Sequence, residues 1–114
     1  MMIFKQPEPE AIRQFEANYS RLLRQVEQMP DIVRRQVSSV VGSPAGASSY
    51  YRILEVFFAD RQRMEDALMS TAGQRAGTEM AAFPAGSYEM IFAEVYEETG
   101  GQTSAANAAQ GDND

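Results

Sequence analysis

The chain has 114 residues, of which 44% are hydrophobic, and its 16 acidic and 10 basic residues give a net charge of -6. This size suits one domain with a small core, whose stability would gain from burying a further face against a second copy. The negative charge argues against nucleic acid and anionic membrane surfaces as partners. Because the chain has no cysteine and no histidine, disulfides, thiolate or Ser-His-Asp catalysis, and zinc or haem sites built on their N or S ligands are excluded.

The N-terminal residues MMIFKQPEPE contain neither a basic region nor a long apolar core, and no run in the chain approaches the roughly 18 apolar residues of a membrane-spanning helix. We therefore expect a soluble, cytoplasmic protein. The apolar run from Met2 to Lys5 is predicted as a first strand. Pro7 and Pro9 end it, because proline cannot continue a strand ladder, and they favour a helix start.

A helix is predicted from Glu10 to Gln28. Its apolar residues recur at steps of three and four and so share one stripe, while charged residues occupy the other face. The stripe consists of Ile12, Phe15, Tyr19, Leu22, Leu23 and Val26. Met29-Pro30-Asp31 ends the helix, since the residue before a proline is pushed out of the helical region.

Two strands follow the helix. Ile32 to Val41 is rich in β-branched residues and stops at Gly42, and Tyr50 to Phe58 contains the strongest strand formers of the chain. Residues 42–49, rich in Gly, Ser, Pro and Ala, form the hairpin connection between them.

The C-terminal half is predicted to contain two helical pieces and one more strand. Asp60 and Ser70 are candidate N-caps for the two pieces. Pro84-Ala85-Gly86 forms a turn, and Tyr88 to Tyr96 alternates as a fourth strand. Residues 98–114 lack large side chains and are predicted to form a disordered tail, which leaves residues 1–97 as the domain.

The order strand, helix, strand, strand, helix, strand predicts an α+β, ferredoxin-like βαββαβ fold with a four-stranded antiparallel sheet. Right-handed crossovers place the helices on one face of the sheet and leave the other face bare. A bare aromatic face favours a second copy as its cover, so two sheets are predicted to pair into a dimeric α/β barrel.

Side chains alternate along a strand, and we assign the more aromatic row of each C-terminal strand to the bare face. Arg52, Leu54 and Val56 then face the helices, as do Ile91, Ala93 and Val95 of the fourth strand. The predicted barrel interior is lined by Tyr51, Ile53, Glu55, Phe57, Met90, Phe92 and Glu94.

The stretch GSPAGASSYYRILEVFFAD, with the preceding MPD and the later FPAG and IFAEVYEE, resembles the EthD family over residues 3 to 97. The resemblance implies a ferredoxin-like homodimer associated with bacterial breakdown of alkyl ethers. Related dimeric barrels include monooxygenases, isomerases, decarboxylases and haem enzymes, so the fold does not choose a reaction. The histidine that members carry late in the first helix corresponds to Leu22 or Leu23, which cannot exchange protons.

Two charged residues lie within the third strand. Arg52, on the helix side, is predicted to pair with a helix carboxylate. Glu55, among apolar neighbours, is predicted either to have a raised pKa, as a general base requires, or to pair with Arg34 or Arg35 of the neighbouring strand. No cofactor is indicated, and the carboxylate spacing matches no metal-binding loop.

Three functions remain open. In the first, the homodimer binds a small apolar or aromatic molecule in the barrel interior as an accessory protein in catabolism. In the second, it is a cofactor-independent monooxygenase, isomerase or decarboxylase with Glu55 as proton acceptor and Tyr51 as hydrogen-bond donor. In the third, packed side chains fill the interior and the dimer is purely structural.

Overall fold

A computed structural model describes residues 1–100. The strands are β1 (Met2–Lys5), β2 (Ile32–Ser39), β3 (Tyr50–Phe58) and β4 (Tyr88–Met90). The helices are α1 (Ile12–Val26), preceded by a 3-10 turn over Pro9–Ala11, α2 (Arg61–Met69) and α3 (Thr71–Met80). The tail predicted over residues 98–114 lies, from residue 101 onward, outside the described residues.

The four strands form one antiparallel sheet in the order β2-β3-β1-β4. This is the strand order of a ferredoxin-like fold, so the predicted α+β class and sheet are confirmed. Helices α1 and α3 pack against each other, and their buried residues form one core with residues of β1 and β3. The pairing of two such sheets stays a prediction.

The core lies between β1 and α1. Phe4 and Leu22 are fully buried, as the predicted helical stripe requires. The Phe4 ring meets the rings of Phe15, Tyr19 and Phe83 with centroid distances of 5.5, 5.8 and 5.2 Å. These contacts fix α1 across the middle of the sheet, because aromatic rings bury large apolar areas in specific geometries.

The second helical region is divided into α2 and α3 at the predicted caps. Asp60 accepts a hydrogen bond from the backbone N–H of Arg63 at 2.8 Å, and Ser70 accepts one from that of Gly73 at 3.1 Å. A Cβ on Gly73 would overlap the carbonyl oxygens of Ala67 and Leu68. Glycine at this position therefore allows α3 to start immediately beside the end of α2.

The predicted faces of β3 are confirmed for Leu54, which is fully buried, and for Arg52, which contacts α1. The predicted bare-face position of Tyr51 is wrong. Phe4 opposes Arg52 and Lys5 opposes Tyr50, so Tyr51 is an extra residue in β3. Such a bulge turns two successive side chains to the same face, and Tyr51 packs edge-on against Phe15 of α1.

The predicted faces of the fourth strand are also wrong. Tyr88 pairs with Phe4 and Met90 with Met2, both core residues, so these two side chains lie on the helix side. The strand ends at Met90 rather than at Tyr96. The residues expected beneath the helices are exposed instead: Ile91, Ala93 and Val95. The alternation of side chains along a strand shows which residues share a face. Only the register with β1 decides whether that face is the helix side or the bare side of the sheet.

Strand β2 forms one edge of the sheet. It pairs with β3, ends at Ser39 rather than Val41, and every residue after Ile32 is exposed. The hairpin connection predicted for residues 42–49 is confirmed. It contains a turn in which the backbones of Ser43 and Gly46 exchange two hydrogen bonds.

Candidate functional site

A groove of about 430 Å³ opens at the end of the sheet where β1 begins. One wall is the end of β3 from Glu55 to Phe58, continued by residues 59–61. The other wall, which we call the wall segment, is residues 91–96, and Met1 and Met64 complete the lining. Met1 marks the inner end of the groove, because its backbone pairs with Ile91 at 2.8 Å.

The groove lies in the plane of the sheet. Successive residues of a strand point to opposite faces, yet all four residues from Glu55 to Phe58 line it. The cavity therefore follows the edge of β3, along the line that β1 would occupy if it continued. Because β3 and β4 flank β1, the walls are separated by roughly twice the strand spacing of about 4.8 Å.

The lining combines aromatic rings with isolated carboxylates. Phe57, Phe92 and Tyr96 supply apolar area. Glu55, Asp60 and Glu94 supply negative charge, and Arg61 supplies positive charge. Cavities of roughly 300 Å³ or more with this composition are typical of small-molecule sites. The arrangement can hold an apolar molecule while the carboxylates accept hydrogen bonds from its polar edge.

The Glu55 carboxylate has no salt-bridge partner among residues 1–100. Its cross-strand neighbour is Gln36. The arginines expected to neutralise it are engaged elsewhere: the Arg34 guanidinium lies 4.4 Å from the centre of the Phe57 ring, and Arg35 bridges to Glu27 at 3.4 Å. Of the two predictions for Glu55, pairing with Arg34 or Arg35 is therefore wrong within the chain.

A second cluster of charged and aromatic groups lies on the helix side of β3. The two terminal nitrogens of Arg52 donate to the two carboxylate oxygens of Glu16 at 2.8 and 2.9 Å, and Tyr51 donates to Glu16 at 3.1 Å. The guanidinium also lies 4.5 Å from the centre of the Tyr19 ring. The predicted pairing of Arg52 with a helix carboxylate is confirmed.

The contacts within this cluster shift the pKa values of its ionisable side chains. The hydrogen bonds from Arg52 hold the pKa of the Glu16 carboxyl below its ordinary value of 4.5, and the same contact raises the pKa of Arg52. Burial, followed by the Glu16 carboxylate, raises the pKa of Tyr51. The cluster therefore keeps Glu16 charged and Tyr51 protonated, which suits a structural lock between α1 and β3.

The structure brings four of the predicted site residues together in the groove, namely Glu55, Phe57, Phe92 and Glu94. The others are not part of its lining. Ile53 pairs with Ile3 and Ser38 further along β3, Met90 pairs with Met2, and Tyr51 contacts Phe15 and Glu16. Sequence reasoning missed Met64 and Tyr96 as lining residues. Tyr96 stood in the aromatic row of the predicted fourth strand, whereas nothing in the helix pattern singled out Met64.

Within residues 1–100, no group of three or more acidic side chains is placed to hold a metal ion. No helix in this part of the chain combines the length and the apolar character needed to cross a membrane.

The fold is similar to that of a solved structure, a crystal structure of an ethyl tert-butyl ether (EthD) family protein from Bacillus halodurans C-125. The similarity has a TM-score of 0.75 at 22% sequence identity, and it covers 83% of this chain and 94% of that chain. No family model matches the sequence, and no curated protein matches it either. The similarity shows a shared fold and agrees with the resemblance carried by the third strand.

Proposed function

We propose that this chain is an EthD-like protein that forms a homodimer through its helix-free sheet face and binds a small apolar or aromatic molecule in the groove. The observation that carries the proposal is the groove itself, a cavity of about 430 Å³ lined by aromatic rings from two chain segments and by three carboxylates. The shared fold of the Bacillus halodurans protein supports the EthD assignment.

The chemistry of the lining favours a compact, weakly polar ligand. Phe57, Phe92 and Val95 offer apolar contact. The three carboxylates of the lining outnumber the Arg61 guanidinium and the Met1 ammonium group, which disfavours anions. A branched ether is compact and weakly polar, and because it has no hydrogen-bond donor for the carboxylates it would bind through the apolar contacts. Ethyl tert-butyl ether appears in the name of the structurally similar protein. We infer an accessory role in catabolism, in which the protein binds such a compound without transforming it.

Native mass spectrometry of the protein isolated from its source tests for a retained molecule, since a bound mass identifies both the site and its ligand class. Binding in vitro is tested with the neutral fluorescent probe N-phenyl-1-naphthylamine, in competition with ethyl tert-butyl ether. We expect saturable probe binding that the ether reverses. Binding that is absent, or that the ether leaves unchanged, would contradict the proposed ligand class.

The groove is tested by substitution of Phe57, which contributes one of its two partly buried phenylalanine rings. Phe57→Ala should weaken probe binding about tenfold or more, because it removes roughly 1–3 kcal/mol of apolar contact. Met69→Ala is the matched control, since Met69 is exposed on α2 and does not line the groove. Equal affinities of the two variants would place the probe elsewhere.

The second candidate is a cofactor-independent enzyme with Glu55 as proton acceptor. It is favoured by the Glu55 carboxylate, which lines the groove and forms no salt bridge within residues 1–100. Tyr51 is not available as its hydrogen-bond donor, since it donates to Glu16 on the other face. Conversion of a bound ether that Glu55→Gln abolishes, with binding retained, would support this candidate. Binding without conversion supports the accessory role.

A further inference from the structure

The direction of the backbone groups along β3 follows from the start of β1. The backbone of Met1 pairs with that of Ile91 at 2.8 Å, on the β4 side of β1. The direction of the N–H and C=O groups alternates along a strand of an antiparallel sheet, so those of Met2 face β3, where Leu54 lies opposite. Leu54 therefore directs its own N–H and C=O groups toward β1.

Two further residues of β3 direct their backbone groups the same way but have no strand beside them. By the same alternation, Val56 and Phe58 face the side of β3 that Leu54 faces. The pairing of β1 with β3 begins at Met2 opposite Leu54, and no other strand within residues 1–100 lies along this edge. The backbone groups of Val56 and Phe58 therefore point into the groove without a strand partner in this part of the chain.

The wall segment offers a second free edge across the groove. Its residues beyond Ile91 form no backbone–backbone hydrogen bond within residues 1–100. The two walls are separated by roughly twice the strand spacing of about 4.8 Å, which is the space that one strand occupies. Because backbone N–H and C=O groups strongly favour hydrogen-bond partners, the groove has both the width and the bonding groups to accept one extended chain.

We propose that an extended peptide segment of a partner protein inserts into the groove in line with β1 and pairs with both walls as an added strand. Such strand addition is a general mode of peptide recognition, in which backbone hydrogen bonds supply affinity and side-chain contacts supply specificity. A peptide that runs in the direction of β1 lies antiparallel to β3, as β1 does. The inference adds a ligand class to the groove and does not depend on the proposed binding of a small molecule.

The lining also selects the side chains of the peptide. A peptide residue opposite Phe57 points to the same face as Phe57 and Glu55, which lie two residues apart on β3. Glu55 forms no salt bridge within residues 1–100, and the carboxylates of the groove outnumber its cationic groups. We therefore expect a basic residue opposite Phe57 and apolar residues opposite Val56 and Phe58.

The test uses the peptide acetyl-Ser-Val-Lys-Val-amide, which has uncharged ends and places its two valines opposite Phe58 and Val56. Binding to the isotope-labelled full chain is followed by nuclear magnetic resonance. We expect saturable binding, with hydrogen exchange of the Val56 and Phe58 amides slowed about tenfold or more. The amides of Glu55 and Phe57 point toward β2, with which both residues pair, and they serve as internal controls whose exchange should not change.

Two matched peptides separate strand pairing from other contacts. Methylation of both valine backbone nitrogens removes the N–H groups that would donate to β3 but keeps the side chains, and it should weaken binding about tenfold or more. Replacement of the lysine with glutamate places a negative charge beside Glu55 and should also weaken binding. Equal affinity of the methylated peptide would overturn the strand pairing.

The outcomes distinguish this inference from the proposed function. A chain that binds N-phenyl-1-naphthylamine but not the peptide overturns the inference and leaves the proposed small-molecule site. A chain that binds the peptide but not the naphthylamine supports the inference and contradicts the proposed ligand class. Slow exchange of the Val56 and Phe58 amides without peptide, lost on dilution, would mean that a second copy fills the groove, and this too overturns the inference.

Discussion

The Arg52 guanidinium of β3 lies against the Glu16 carboxylate of α1 with two hydrogen bonds of 2.8 and 2.9 Å. These two hydrogen bonds join α1 to β3, the strand whose end forms one wall of the groove. The Arg52 side chain is 16% exposed and that of Glu16 is 41% exposed. The contact is thus partly shielded from water, and its contribution lies between those of surface and buried ion pairs.

Glu16→Gln should reduce the free energy of unfolding by roughly 1–2 kcal/mol near neutral pH, the lower part of the range for charge-assisted hydrogen bonds, because Glu16 is partly solvated. The pKa of Glu16 in the folded chain is below its ordinary value of 4.5, so the unfolded chain takes up the proton first. The stabilisation by the Glu16 charge is therefore fully present above the ordinary pKa of 4.5, and it is lost as the pH falls through the lower pKa of the folded chain.

Urea unfolding of the unmodified chain and Glu16→Gln at a series of pH values checks this dependence. The difference between the two proteins should be largest near pH 7 and should shrink in acid. Glu10→Gln is the control, because Glu10 is exposed and forms no salt bridge within residues 1–100. A difference that stays constant from neutral to acid pH would show that the Glu16 charge does not stabilise the fold.

The two glycines of α3 should respond in opposite directions to alanine. Gly73→Ala should destabilise the protein by about 1–3 kcal/mol, because the added Cβ overlaps the end of α2. Gly77 has open space around its Cβ position, so Gly77→Ala should stabilise the helix by about 0.5–1 kcal/mol. Thermal unfolding of both variants measures the contrast, and a Gly73→Ala protein as stable as Gly77→Ala would mean that α2 and α3 can separate at no cost.

Phe92→Asp should dissociate the proposed homodimer. It replaces an exposed ring of the wall segment with a further negative charge beside Glu94, and an unpaired charge in a shared interface is costly. Sedimentation velocity over a range of protein concentrations measures the effect. Met69→Asp makes the same change at an exposed position of α2 and should leave the dimer intact. Dimerisation of Phe92→Asp at unchanged affinity would exclude the wall segment from the interface.

Most of the secondary structure follows from local sequence. The boundaries of β1 and β3 agree with the runs of apolar and β-branched residues, and Asp60 and Ser70 cap helices as predicted. The Arg52 pairing was also predictable, since an arginine on the covered face of a sheet needs a carboxylate from the helix above it. These features depend on chemistry within a few residues or on the simple alternation of a strand.

The faces of the strands depended on pairing between distant segments. The bulge that turns Tyr51 toward α1 arises from the register of β3 with β1. The pairing of β4 with β1 places Tyr88 and Met90 on the helix side. The groove could not be located from the sequence, because it exists only where β1 begins between the end of β3 and the wall segment. The sequence by itself determined the type of each element and the order of the elements along the chain. Only the tertiary structure decided which side chains meet, since a shift of one residue in register reverses every face.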